Sequence, residues 1–128
     1  MPKRLPFVCS TVVGLAMACL ASSSQAACND PPEPFVDWSG CNKQGANLAG
    51  ANLRHANLEH ANLKDANLNG ANMGGAYMWS TYLWGADLRM ANLKNAETQG
   101  AYLKESNLEG ATWRDGRVCG PGSVDGCY

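Results

Sequence analysis

At 128 residues and 13.6 kDa the chain has room for one domain, or one domain with appendages. Ten Lys/Arg against eleven Asp/Glu give a formal net charge of -1, which excludes both the basic surface of a nucleic-acid binder and the dense negative field of a phosphate mimic. Hydrophobic residues make up 45% of the chain but Phe, Tyr and Trp only 8%, so a core of large side chains is thin and burial must come by repetition.

The first segment reads as a secretory signal peptide. Met1-Pro2-Lys3-Arg4 is a short basic start, and Phe7 to Ala21 is apolar apart from Ser10 and Thr11. Ser22-Ser23-Ser24-Gln25-Ala26 then supplies small residues, with Ser24 and Ala26 placed for cleavage after Ala26. The apolar run, about 15 residues, is shorter than the roughly 20 that cross a bilayer. Cleavage therefore leaves no membrane span, and a periplasmic or secreted destination is expected. A lipid anchor on Cys19 or Cys28 is the weaker alternative, because neither has a leucine three residues before it.

Removal of residues 1–26 takes Lys3 and Arg4 away, leaving eight basic against eleven acidic residues and a net charge of -3. It also removes Cys9 and Cys19. Cys28, Cys41, Cys119 and Cys127 remain, and four cysteines in an exported chain imply two disulfides with three possible connectivities. Two precede the repetitive region and two follow it. Local pairing, Cys28 with Cys41 and Cys119 with Cys127, closes one short loop at each end, worth about 2–3 kcal/mol apiece. A four-cysteine zinc site lacks its usual C-x2-C spacing, and no metal or cofactor is expected.

From Ala46 to Asp115 the chain runs in fives: fourteen frames without an insertion. The first position is alanine except at Thr81 and Ser106. The third is Leu48, Leu53, Leu58, Leu63, Leu68, Met73, Met78, Leu83, Leu88, Leu93, Leu103 or Leu108, and otherwise Thr98 or Trp113. The frame extends backwards through Cys41 to Val36. Such strict repetition takes precedence over local propensity. On an α-helix five residues advance about 500°, so no apolar face forms. In a strand, successive leucines would alternate faces. Asparagine at the second position and glycine at the fifth favour turns. A chain that turns a corner every fifth residue closes a square coil of 20, with first and third residues inside and neighbouring coils paired by backbone hydrogen bonds.

The A-N-L-x-x frames, such as Ala61-Asn62-Leu63-Lys64-Asp65 and Ala86-Asp87-Leu88-Arg89-Met90, resemble the pentapeptide-repeat family. That resemblance implies an all-β chain folded as a right-handed, four-sided parallel β-helix of about four coils. It covers Val36 to Asp115, and the flanks look like those of exported bacterial members. The expected organisation is a signal peptide at 1–26, an N-terminal cap at 27–45, the β-helix at 46–115 and a C-terminal cap at 116–128. Trp38 and Trp113 fall in the central inward slot of the first and last frames, where a ring can seal the column. The disulfide loops lie just outside them, blocking end-to-end stacking of open edges.

Outward positions are mostly Asn, Lys, Arg and Glu, with one departure. Tyr77, Trp79, Tyr82 and Trp84 occupy outward slots on adjoining faces, and Tyr102 follows Tyr82 by one coil. Trp84 is expected between Lys64 and Lys104, a cation–π geometry. These five aromatics form a candidate docking surface for a partner protein or the sugar rings of an envelope glycan. The bland alternative is a ladder of rings that only stabilises the middle coil, or a dimer contact. His55 and His60 lie at adjacent corners and read as solvated surface histidines rather than a metal pair. Asn52, Asn72 and Asn92 form a candidate amide ladder. No nucleophile–base pair, phosphate loop or paired-carboxylate arrangement stands out.

The resulting expectation is a non-catalytic structural or protein-interaction module of the bacterial envelope. The family also makes available a DNA-mimicking inhibitor of DNA gyrase or topoisomerase. That role needs the cytoplasm and a long acidic surface, against which the signal peptide, the cysteines and the weak charge all argue.

Overall fold

The computed structural model describes residues 25–128. The signal segment expected over 1–26 therefore lies almost entirely outside the described residues, as do Cys9 and Cys19. A short helix, α1, spans Gln25–Cys28. From Val36 onward one five-residue conformation recurs, bridged at its second position and turning through its fourth and fifth.

Two local devices build each corner. From Phe35 to Gly110 the fifth residue takes a positive φ, between 52° at Ser80 and 72° at Gly110. Other L-residues enter this left-handed region at a penalty of roughly 1–2 kcal/mol, which glycine escapes. A Cβ added at Gly50 or Gly70 would meet nothing within 4 Å, so glycine serves the dihedral there and not the space. The second device is the asparagine. Its side-chain oxygen accepts the N–H of the fourth residue, as Asn57 does from Glu59 (3.1 Å), Asn62 from Lys64 (3.1 Å) and Asn92 from Lys94 (3.0 Å). This Asx turn gives the second position a specific structural task beyond being polar and outward.

Levels are joined by parallel bridges between residues 20 apart, such as Asn52 with Asn72, Asn72 with Asn92, and Tyr82 with Tyr102. The third residue's N–H donates to the next level (Leu83 to Tyr102 O, 2.9 Å), while the second residue's N–H donates back to the previous one (Tyr82 to Ala61 O, 2.9 Å). The fifth residue adds another forward bond (Gly85 to Lys104 O, 2.9 Å). Each bridge involves a single residue, because the chain turns again before a longer strand can form.

First and third residues pack inside. Leu53, Leu58, Leu63, Leu68, Met73, Met78, Leu83, Leu88, Leu93 and Leu108 are buried, with Leu48 above them. Thr81, which replaces an alanine, is also buried, and its hydroxyl donates to Leu58 O at 2.7 Å. Leu103 and Trp113 pack against this core but are only partly buried. The reason lies at the C-terminal end. The chain reverses at Gly116, so Val118 and Val124 form antiparallel bridges to Thr112 and Asn107. No described residue bridges beneath Glu97 or Tyr102, and that half of the last level stays open.

The ends carry two disulfides, Cys28–Cys41 (Cα–Cα 5.5 Å) and Cys119–Cys127 (Cα–Cα 4.8 Å). Trp38 is buried beneath the first, its indole N–H donating to Asp30 O at 3.2 Å. The Lys43 ammonium lies 3.9 Å from the Trp38 ring centroid and donates to Cys28 O at 2.6 Å. Burial pushes that ammonium's pKa down, with Asp30 opposing the shift. At the other end Arg117 donates to Cys127 O at 3.2 Å. Among the described residues no helix is long and apolar enough to cross a membrane.

Candidate functional site

The five aromatics singled out in the sequence stand on the outside of the coil. Tyr77, Trp79, Tyr82, Trp84 and Tyr102 are 42–53% exposed, on second and fourth frame positions. Placement follows from the frame: third positions point in, so their neighbours point out. The three tyrosines occupy the slot that carries asparagine in most other frames. A phenol offers no carbonyl to the corner, so the N–H groups of Trp79, Trp84 and Lys104 lose the Asx acceptor their counterparts have.

The rings are held by one another and by charge. Tyr82 and Tyr102 stack at 4.9 Å with planes 7° apart. Trp84 lies between the ammonium groups of Lys64 (5.2 Å) and Lys104 (4.9 Å). Two further residues complete the surface: Glu97 accepts the Trp79 indole N–H at 2.8 Å, and Glu105 accepts that of Trp84 at 2.9 Å. Sequence reasoning missed both carboxylates. Their separations of 18 and 21 residues from the indoles were the available signal, since each is near one full level. Cations and carboxylates hold the rings in place, and the rings are of the aromatic type enriched at binding interfaces.

The other candidates separate. The His55 ring stacks on Phe35 at 5.2 Å, one level away. His60 stands at the next corner and joins no metal-binding cluster; among the described residues no group of three or more His, Cys, Asp or Glu could hold a metal ion. In the asparagine column, Asn92 Nδ2 donates to Asn72 Oδ1 at 3.4 Å.

A family model of pentapeptide repeats, in eight copies, matches residues 41–79 and 71–110. The chain belongs to the pentapeptide-repeat family. Among solved structures it is similar to HetL, a pentapeptide repeat protein involved in heterocyst differentiation regulation in the cyanobacterium Nostoc. The identity is 35% over 71% of this chain and 44% of that one, with a TM-score of 0.41. A pentapeptide repeat protein of the Arabidopsis thaliana thylakoid lumen is 28% identical over 65% of this chain and 52% of its own, with a TM-score of 0.42. A third, Rfr23 of the cyanobacterium Cyanothece, is 26% identical over 66% and 65%, with a TM-score of 0.33. The chain thus spans about half the length of the first two, 44% and 52%. No curated protein matches it.

Proposed function

We propose that the protein is an exported, non-catalytic interaction module of the bacterial envelope, which docks a protein partner through Tyr77, Trp79, Tyr82, Trp84 and Tyr102. The scaffold in this reading is a right-handed, four-sided β-helix of about four coils, capped at each end by a disulfide loop. The 20-residue bridge spacing and the left-handed corner at every fifth residue support four sides. Two disulfides support an oxidising compartment and hence export.

One observation carries the docking role. Tyrosine replaces the corner-forming asparagine in three frames, and those frames are where the exposed rings gather. Local rules broken together at one place are expected at functional or strained sites. The gyrase-directed alternative needs a continuous acidic surface, whereas Arg54, Lys64, Lys94 and Lys104 all face outward on these same levels.

Two variants test the reading. Trp79→Gln with Trp84→Gln removes the largest rings, the usual hot spots of an interface. Tyr77→Asn removes a ring while restoring the corner acceptor. Both proteins are expected to keep the circular dichroism of the parent and to lose the protein cross-linked to it in envelope preparations. A double variant that melts many degrees lower yet keeps the same cross-link makes the rings a structural ladder. Retention of glycan in place of protein replaces the partner class.

A further inference from the structure

The face next to Tyr77 and Trp79 carries a crevice that the docking surface does not use. It has a volume of about 390 Å³ and is lined by Arg54, His55, Asn72, Gly74, Asn92 and Lys94, among others. It exists because the fourth position of frame 71–75, which bears a side chain on the levels above and below, is Gly74.

Gly74 is not required by the backbone. It has no positive φ, and an added Cβ would meet the Asn72 side-chain oxygen at 3.3 Å, a tight contact that a small shift of that side chain relieves. Glu59 and Glu109 hold the same frame position elsewhere, so the fold accepts a long side chain there. The missing side chain leaves Arg54 on one rim and Lys94 on the other. Backbone bonds fix the rims, from His55 N–H to Gly74 O (3.0 Å) and from Gly75 N–H to Lys94 O (2.9 Å).

The chemistry of the lining is one-sided. Asn72 Oδ1 accepts from the Gly74 N–H (3.2 Å) and from Asn92 Nδ2 (3.4 Å), and Asn92 Oδ1 accepts from the Lys94 N–H (3.0 Å). Both amide oxygens are engaged by the backbone, so the NH2 groups are the ends with donors to spare. Arg54 and Lys94 are donors by nature, and among the described residues neither makes an ion pair. The crevice holds no carboxylate. Two cations and two amides lining one crevice offer enough donors for the several oxygens of a tetrahedral dianion.

We propose that this crevice is an oxyanion site of the phosphate class, in which Arg54 and Lys94 grip the anion and the amides of Asn72 and Asn92 complete its hydrogen bonds. The site lies on a different face from the aromatics and stands independently of their role. Its volume leaves room for a phosphate carried on a larger group.

The test is an NMR titration of the full mature protein with inorganic phosphate, glucose 1-phosphate, acetate and chloride at matched ionic strength. Saturable shifts of the Gly74, Gly75 and Lys94 amides with the two phosphates, and not with chloride, are expected. Tighter binding of glucose 1-phosphate assigns the anion to a larger molecule, and equal or weaker binding assigns it to the free ion. Arg54→Gln and Lys94→Gln are each expected to weaken binding about tenfold, the loss of one charge-assisted hydrogen bond. Gly74→Glu fills the crevice with opposite charge and is expected to abolish binding. Shifts spread evenly over Lys43, Lys64 and Lys104, saturation by acetate at the same concentration, or unchanged affinity in Gly74→Glu would each overturn the proposal. If Gly74→Glu does not fold, unchanged affinity in the Arg54 and Lys94 variants overturns it instead.

Discussion

His55 occupies the space that a side chain on Gly75 would fill: a Cβ built at Gly75 lies 2.5 Å from the imidazole Cε1 and Nδ1. On its other side the ring stacks on Phe35. Gly75 therefore serves two purposes, the left-handed corner that every fifth residue adopts and clearance for the ring one level away. Gly70 shares the first purpose alone, since nothing lies within 4 Å of its missing Cβ.

That difference sets the first prediction. Gly70→Ala is expected to destabilise by about 1–2 kcal/mol, the penalty of a left-handed L-residue. Gly75→Ala should lose about 0.5–1.5 kcal/mol more, because the imidazole must leave its stack on Phe35. Denaturant unfolding of both variants, each repeated in a His55→Ala background, measures the coupling. The excess should vanish in that background.

The second prediction separates the closed part of the column from its open end. Leu83 is fully buried, whereas Leu103 is only partly so because nothing described bridges beneath Tyr102. Leu83→Asp places an unpartnered charge in the interior and should prevent folding, at a cost of several kcal/mol. In Leu103→Asp the carboxylate can reach water, so soluble, folded protein of reduced stability is expected. Equal loss of soluble protein from both variants would show that the last level is closed.

The third concerns the caps. Peptide mapping without reduction should recover Cys28 linked to Cys41 and Cys119 linked to Cys127. The loops they close are short, with sequence separations of 13 and 8. Loop-entropy reasoning gives each about 2–3 kcal/mol. Substituting either pair by serine should lower the melting temperature while leaving the central repeats folded, because each level is stabilised mainly by its immediate neighbours. Global unfolding on loss of one pair would contradict that nearest-neighbour picture.

The fourth is a pH dependence. The Arg89 side chain donates to both carboxylate oxygens of Asp87, at 2.8 and 2.6 Å. This bonding holds the Asp87 carboxyl below its ordinary pKa, with partial burial opposing. A folded-state pKa lower than the unfolded one adds stability above the ordinary carboxylate range of about 3.9, and that stability is lost as pH falls through the folded value. Arg89→Gln should raise the Asp87 pKa in a carboxyl-carbon NMR titration. The stability gap between wild type and variant should close on acidification below about pH 4. A gap constant down to low pH would show that Arg89 acts through packing.

Much of this architecture is legible in the one-dimensional repeat. A period of five is incompatible with an apolar helix face or a flat strand, so the inward and outward positions follow from counting. The stacking of Tyr102 on Tyr82 and the seat of Trp84 between Lys64 and Lys104 follow in the same way, because residues 20 apart are bridged across levels. Three things are decided only in the folded chain. Glu97 and Glu105 reach the indoles through side-chain directions that a position count does not specify. Leu103 is left partly uncovered because the chain reverses at Gly116 and returns beneath Asn107 and Thr112 only. The donor character of the crevice at Gly74 depends on the direction of the Asn72 and Asn92 amides, which the backbone bonds at each corner dictate. A strict repeat determines where each residue sits along the coil, because every level obeys the same geometry. What happens at its ends and in its gaps depends on contacts between levels, which exist only once the levels have stacked.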